Sequence, residues 1–248
     1  MTRFIPNALT LLNLLCGSIA VIFVINDAFV TASFFVFFGI FFDFFDGFAA
    51  RKFKVQSALG VELDSLADMV TSGLVPGLVM YKLLDLSIGS WGDFGVTTNA
   101  TTILDFSKLS ILPLFGLTIT LASAYRLAKF NVDDAQRDYF KGLPTPANTL
   151  LIIALPLIMV FQDNEAVNAI ILNAWFLIGL TILSCYLLNS NIKLFALKFK
   201  DFSFKTNALR YIFMALCVVL LIVLQFVAIP VIIGLYIGLS VLDSLTSK

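Results

Sequence analysis

Asp43 and Asp46 lie three residues apart, and Asp64 and Asp68 four apart, within sequence otherwise apolar enough for a membrane interior. On helices each pair shares one face. The basic run Arg51-Lys52-Phe53-Lys54 between them reads as a turn joining two antiparallel helices, which would bring the two carboxylate faces together. Carboxylates gathered at a membrane surface repel one another unless cations sit between them. The chain has no His, and Cys16, Cys185 and Cys217 lie far from this segment, in apolar runs that read as buried small hydrophobes. An all-oxygen set suits Mg²⁺, Mn²⁺ or Ca²⁺ better than zinc or copper. Two such ions, held by Asp43, Asp46, Asp64 and Asp68, would clamp a diphosphate and neutralise charge on a leaving phosphate.

The neighbouring residues fit the same chemistry. Gly47 and Gly60 remove side chains where a ligand or a facing helix must come close. Arg51, one turn beyond Gly47 on the same face, offers forked hydrogen bonds to a phosphate, and Ser57 adds a hydroxyl. Asp68 lies deepest along its span and is the best placed to take a proton from an acceptor hydroxyl. The plainer alternative is a salt-bridge cluster with Arg51, Lys52 and Lys54. Four Asp on two facing stripes weigh against it, because ionisable groups inside a membrane are costly to keep.

Written out from Asp43 to Asp68, the spacing is D-x2-D-G-x2-A-R-x8-G-x3-D-x3-D. It resembles, without mismatch, the signature of the CDP-alcohol phosphotransferases. Those membrane enzymes move a phosphatidyl or related group from a CDP-linked donor to an acceptor hydroxyl and release CMP. The resemblance implies that the four Asp bind Mg or Mn and that Asp68 is the proton acceptor. It also implies that Pro6, Asn7, Thr10, Gly47, Arg51, Ser57 and Gly60 hold the CDP-lipid donor.

Further segments resemble the phosphatidylserine synthase branch of that family. They are Ile5-Pro6-Asn7-Ala8-Leu9-Thr10-Leu11-Leu12-Asn13 with Cys16-Gly17, Leu63 to Asp68 followed by Gly73 and Pro76, Ala124 to Asn131, and Phe140 to Ala147. Two departures stand out: Tyr125 where Ala is more usual, and Thr71-Ser72-Gly73 for a Ser-Phe-Gly-like run. The branch implies CDP-diacylglycerol and L-serine as substrates, and a homodimer. A zwitterionic acceptor needs a cation for its carboxylate, for which Arg126, Lys129 and Asn131 are the candidates. Pro144 and Pro146 stiffen a lip on the same side. The alternatives are the same chemistry with glycerol 3-phosphate or an inositol compound as acceptor, or a divalent-cation transporter using the Asp cluster.

The elements that must position these residues are membrane spans. Of 248 residues, 60% are apolar and 26 are Phe, and the mean hydropathy of +0.99 excludes a soluble domain. Zero net charge gives no general attraction to nucleic acid. Spans need about 20 apolar residues. Eight are expected, at 8–26, 29–51, 60–84, 108–130, 146–162, 166–189, 208–226 and 228–245. The first reads as a retained span rather than a signal peptide, with Pro6 and Asn7 as a capping turn before it.

With both termini cytoplasmic, all basic residues but Lys82 and Lys108 fall inside, Arg3, Arg137, Lys198, Lys200 and Lys248 among them. The carboxylates then open to the cytoplasm, and residues 85–107 form an outer connection. Gly234-x3-Gly238 permits a close helix approach. The expectation is an all-α polytopic bundle in a bacterial cytoplasmic membrane. It forms one domain over 1–248, with a catalytic core at 3–190 and extra helices at 206–245.

Overall fold

The computed structural model of the chain describes residues 4–89, 111–132, 140–162, 164–194 and 204–246. The outer connection is described only to Gly89, and Arg3, Lys108, Arg137, Lys198, Lys200 and Lys248 lie outside the described residues. The described chain is helical apart from its turns and one two-residue antiparallel ladder. In that ladder β1 (Phe140–Lys141) pairs with β2 (Lys193–Leu194).

Helix α1 (Phe4–Ile25) and α2 (Phe29–Lys52) form a hairpin whose turn carries Asp27 in the left-handed region. Asp27 is tied to Lys82 by an ion pair of 2.8 Å. That pair neutralises one of the two basic residues expected on the outer side. Pro6 and Asn7 lie within α1 rather than in a turn before it. The turn after α2 runs through Phe53 and Lys54, the latter again left-handed. Ser57 then caps α3 (Ala58–Asp68), its hydroxyl accepting from the Gly60 N–H at 3.1 Å.

Directly after Asp68 the helix widens into a π segment, Met69–Leu74, before continuing as α4 (Val75–Ser87). The extra residue per turn changes the register. Above it, Asp64 and Asp68 face α1 and α2. From its last turn onward, the path turns its glycines to α6: Thr120 donates to the Gly73 carbonyl at 3.1 Å, and a Cβ on Gly77 would meet the Thr120 hydroxyl.

The short α5 (Ile111–Leu114) leads through a 3₁₀ turn into α6 (Thr118–Val132), and α7 (Thr145–Phe161) follows the lip. Gly142 in that lip has φ +74°, and a Cβ there would stand 2.8 Å from the Leu188 carbonyl, so the position needs glycine. The expected sixth span is broken into α8 (Glu165–Ile171) and α9 (Ala174–Asn189), bent by 60°. Asn173 causes the break. Its side chain caps α9 at the Trp175 and Phe176 N–H groups and so starts a new helix.

By length and composition, five described helical stretches can cross a membrane, or six if the bent pair counts as one span. One of the five, Phe213–Leu242, is folded back on itself. A straight helix would separate Phe213 from Tyr236 by about 35 Å, yet their rings lie 5.9 Å apart. The reversal between α10 (Phe204–Leu224) and α11 (Ala228–Thr246) falls at Gln225–Val227, where the seventh and eighth expected spans meet. Gln225 takes a left-handed φ of 49°, and Gln162 donates to the freed Leu224 carbonyl at 2.7 Å. Among the described residues nothing lies within 4 Å of a Cβ on Gly234 or Gly238, so none of them makes a close approach there.

The core joins Ala20 and Val24 of α1, Ala32 and Val36 of α2, the Val75–Leu84 face of α4, Ile119, the Ile152–Ile158 stretch of α7 and Leu177. Phe34, Phe38, Phe41 and Phe44 of α2 point outward, as lipid-facing side chains would. All three cysteines are free.

Candidate active site

Three of the four carboxylates converge. Asp43 of α2 and Asp64 and Asp68 of α3 present oxygens that all lie within 4.8 Å of one another. Asp68 is buried, Asp43 and Asp64 half-buried. Among the described residues none of the four Asp makes an ion pair with Lys or Arg, so the salt-bridge alternative is not found. Asp64 Oδ1 is buried without a hydrogen-bond partner. Such a set of hard oxygens, with one orphaned, fits a divalent cation such as Mg²⁺ or Mn²⁺.

Asp46 stands apart from this trio. Its Oδ2 accepts from the Thr10 hydroxyl at 2.5 Å, with the Pro6 carbonyl 3.1 Å from the same hydroxyl as the alternative acceptor. It therefore faces a groove of about 460 Å³ between the starts of α1 and α3 and the end of α2. Pro6, Asn7, Thr10, Gly47, Arg51, Ser57 and Gly60 all line that groove, with Asp46 and Asp64 along its side. The seven residues expected to hold the donor thus share one wall system beside the carboxylates.

Local structure explains the shape of the groove. A Cβ on Gly47 would stand in ordinary contact, 3.5 Å, with Arg51 Nη1, so the guanidinium lies back along its own helix. A Cβ on Gly60 would sit 3.3 Å from Ser57 Oγ and 3.5 Å from Asn7 Oδ1. Ser57, Ala58, Gly60 and Val61 form the N-terminus of α3, whose free N–H groups and dipole favour an anion. Because Ser57 Oγ only accepts from Gly60 N–H, its own proton stays available to a ligand.

The residues expected at the acceptor are spread out. Arg126 Nη1 donates to the Leu188 carbonyl at 2.7 Å, closing the C-terminus of α9. Asn131 is held to Ser65 of α3, its Nδ2 2.9 Å from the serine hydroxyl. Lys129 is exposed.

Beyond the expected residues, Asn13 joins the carboxylates, and two further buried polar groups stand out. Asn13 of α1 donates from Nδ2 to Asp68 Oδ1 at 3.2 Å. Asn148, fully buried in the first turn of α7, has neither amide atom bonded, and Ser72 Oγ is likewise buried without a partner. Thr149 ties these elements together by donating to the Ser72 carbonyl at 3.0 Å. Asn13 lies in the N-terminal motif with no role assigned from it, and Asn148 directly follows the Phe140 to Ala147 segment.

A family model described as CDP-alcohol phosphatidyltransferase matches residues 3–242. Curated relatives named CDP-diacylglycerol–serine O-phosphatidyltransferase include one from Bacillus subtilis (strain 168), 32% identical over 157 residues, covering 62% of this chain and 75% of the relative. One from Saccharomyces cerevisiae is 34% identical over 133 residues, covering 50% and 40%. One from Methanocaldococcus jannaschii is 26% identical over 182 residues, covering 73% and 71%. With the family model spanning nearly its whole length and the signature carboxylates gathered beside a groove, this chain belongs to the CDP-alcohol phosphatidyltransferase family.

Proposed function

We propose that the chain transfers the phosphatidyl group of CDP-diacylglycerol to the hydroxyl of L-serine, giving phosphatidylserine and CMP. The observation that carries this reading is the placement of seven donor-type residues in one groove that Asp46 also lines and that reaches the carboxylate trio through Asp64. The names of the relatives support serine as the acceptor.

In this reading Arg51, Ser57 and the N-terminus of α3 bind the diphosphate, while Pro6, Asn7 and Thr10 wall the nucleotide end. Gly47 and Gly60 leave the room. Asp43, Asp46, Asp64 and Asp68 would hold one or two Mg²⁺ or Mn²⁺ ions, which when bound supply charge neutralisation at the diphosphate. Asp68 takes the serine hydroxyl proton as the serine oxygen bonds to the lipid-side phosphorus and the bond from that phosphorus to the CMP oxygen breaks. Lys129 and Asn131 receive the amino-acid end. Arg126, whose Nη1 donates to the Leu188 carbonyl, is the third residue proposed for that end. The chain works as one domain over 1–248, as a homodimer, in a bacterial cytoplasmic membrane. There it has eight spans, both termini inside and the groove open to the cytoplasm.

The test is CMP release by purified protein in detergent with CDP-diacylglycerol and Mn²⁺, adding serine, glycerol 3-phosphate or inositol in turn. Release that depends on serine alone is expected. Release driven by another alcohol would keep the carboxylate chemistry and overturn the acceptor, and no release with any of them would overturn the reading.

Gly60→Leu probes the donor side. Its side chain would start 3.3 Å from Ser57 Oγ and fill the groove, so KM for CDP-diacylglycerol should rise by an order of magnitude or more. An unchanged donor KM would show that the donor lies elsewhere.

A further inference from the structure

Asn13 is fully buried in α1, whose one other amide side chain is Asn7 in the first turn. An ionised carboxylate only accepts, which turns the Asn13 amide nitrogen toward Asp68; the two meet at 3.2 Å. The other end of the residue is fixed as well. Thr71, three residues after Asp68 in the π segment, donates from its hydroxyl to the Asn13 main-chain carbonyl at 3.1 Å.

The space around this pair is closed by two glycines. A Cβ on Gly39 of α2 would stand 2.7 Å from Thr71 Cγ2 and 2.9 Å from Asn13 Oδ1. A Cβ on Gly17 of α1 would fall on the Thr71 hydroxyl and lie 2.9 Å from its Cα. Three elements therefore close on Asn13 and Thr71, and the amide has little room to take another rotamer. Asn13 Oδ1 meanwhile has no donor. Burying a half-satisfied amide is unfavourable, so the residue is explained by what its nitrogen does.

We infer that Asn13 is a positioning residue for Asp68, holding Oδ1 so that Oδ2 is presented to the reacting groups. The inference rests on the role proposed above for Asp68. Partners one layer out from a site commonly orient the carboxylates that act there, and losing one typically costs about 10–100-fold in metal affinity or activity. The π segment follows Asp68 directly and brings Thr71 round to α1, so the irregular turn also serves this placement.

The experiment compares Asn13→Asp, Thr71→Val and Asp68→Asn, as full-length protein in detergent. CMP release is measured with CDP-diacylglycerol and serine while Mn²⁺ is varied, and thermal unfolding is followed in parallel. Asn13→Asp keeps the shape but cannot donate when ionised. It should lower kcat, raise the half-saturating Mn²⁺, or both, by about 10–100-fold, with KM for CDP-diacylglycerol at saturating Mn²⁺ within twofold of the parent. A role confined to packing would leave kcat and the Mn²⁺ response unchanged in this isosteric variant, and that result overturns the proposal. Should Asn13→Asp not fold, Thr71→Val decides: a several-fold fall in kcat supports the positioning role, and parent-like kcat and Mn²⁺ response overturn it. An inactive Asp68→Asn beside a fully active Asn13→Asp would overturn the positioning alone. A fully active Asp68→Asn would remove the proposed base, and the positioning role with it.

Discussion

Asp68→Asn is expected to cut kcat by about a thousandfold or more while CDP-diacylglycerol still binds with near-parent affinity. General bases contribute roughly 10²–10⁴-fold, and in the proposed function this side chain also helps to hold the cation. Asparagine matches the shape of aspartate and can still accept from Asn13 Nδ2 through Oδ1, so the fold around it should survive. What it cannot do is take up the serine proton. The residues proposed to contact the donor line the groove, and Asp68 is not among its lining residues, so donor binding should separate from turnover. Single-turnover CMP release and equilibrium binding of the donor measure the two. Turnover within tenfold of the parent would exclude Asp68 as the base.

What could be read from the sequence was local in character. The pairs Asp43/Asp46 and Asp64/Asp68 lie within single helices, where spacing alone fixes the shared face. The turn between them is short enough that an antiparallel hairpin was the natural outcome. The span ends were legible to within a few residues because they follow the apolar runs.

Features that depend on two helices meeting were not legible. Nothing in the run Leu11-Leu12-Asn13-Leu14 says that its amide faces a carboxylate 55 residues later. Asp46 shares a helix face with Asp43, yet Thr10 of another helix draws it toward the groove. Arg126 has the charge to meet a substrate carboxylate, but the end of α9 presents it with the Leu188 carbonyl. One break was missed for a related reason: Asn173 caps α9 and so splits the expected sixth span.

Removing divalent cations should abolish turnover reversibly. Chelation of the purified protein is expected to bring CMP release to background, and added Mg²⁺ or Mn²⁺ to restore it. Asp43, Asp64 and Asp68 place oxygens within 4.8 Å of one another with no ion pair to Lys or Arg among the described residues. Ionised together, three groups so placed would repel strongly where water is scarce. A cation seated between them should therefore also stabilise the folded state, by an amount that grows with the logarithm of its concentration. The thermal midpoint should rise with added Mn²⁺ and fall on chelation. Asp43→Ala removes one oxygen donor and one repulsive charge at once, so it should raise the midpoint of the cation-free protein and flatten its response to Mn²⁺. A carboxylate trio that serves only to be hydrogen-bonded would behave differently: chelation would leave both CMP release and the midpoint where they were, and the cation would drop out of the mechanism.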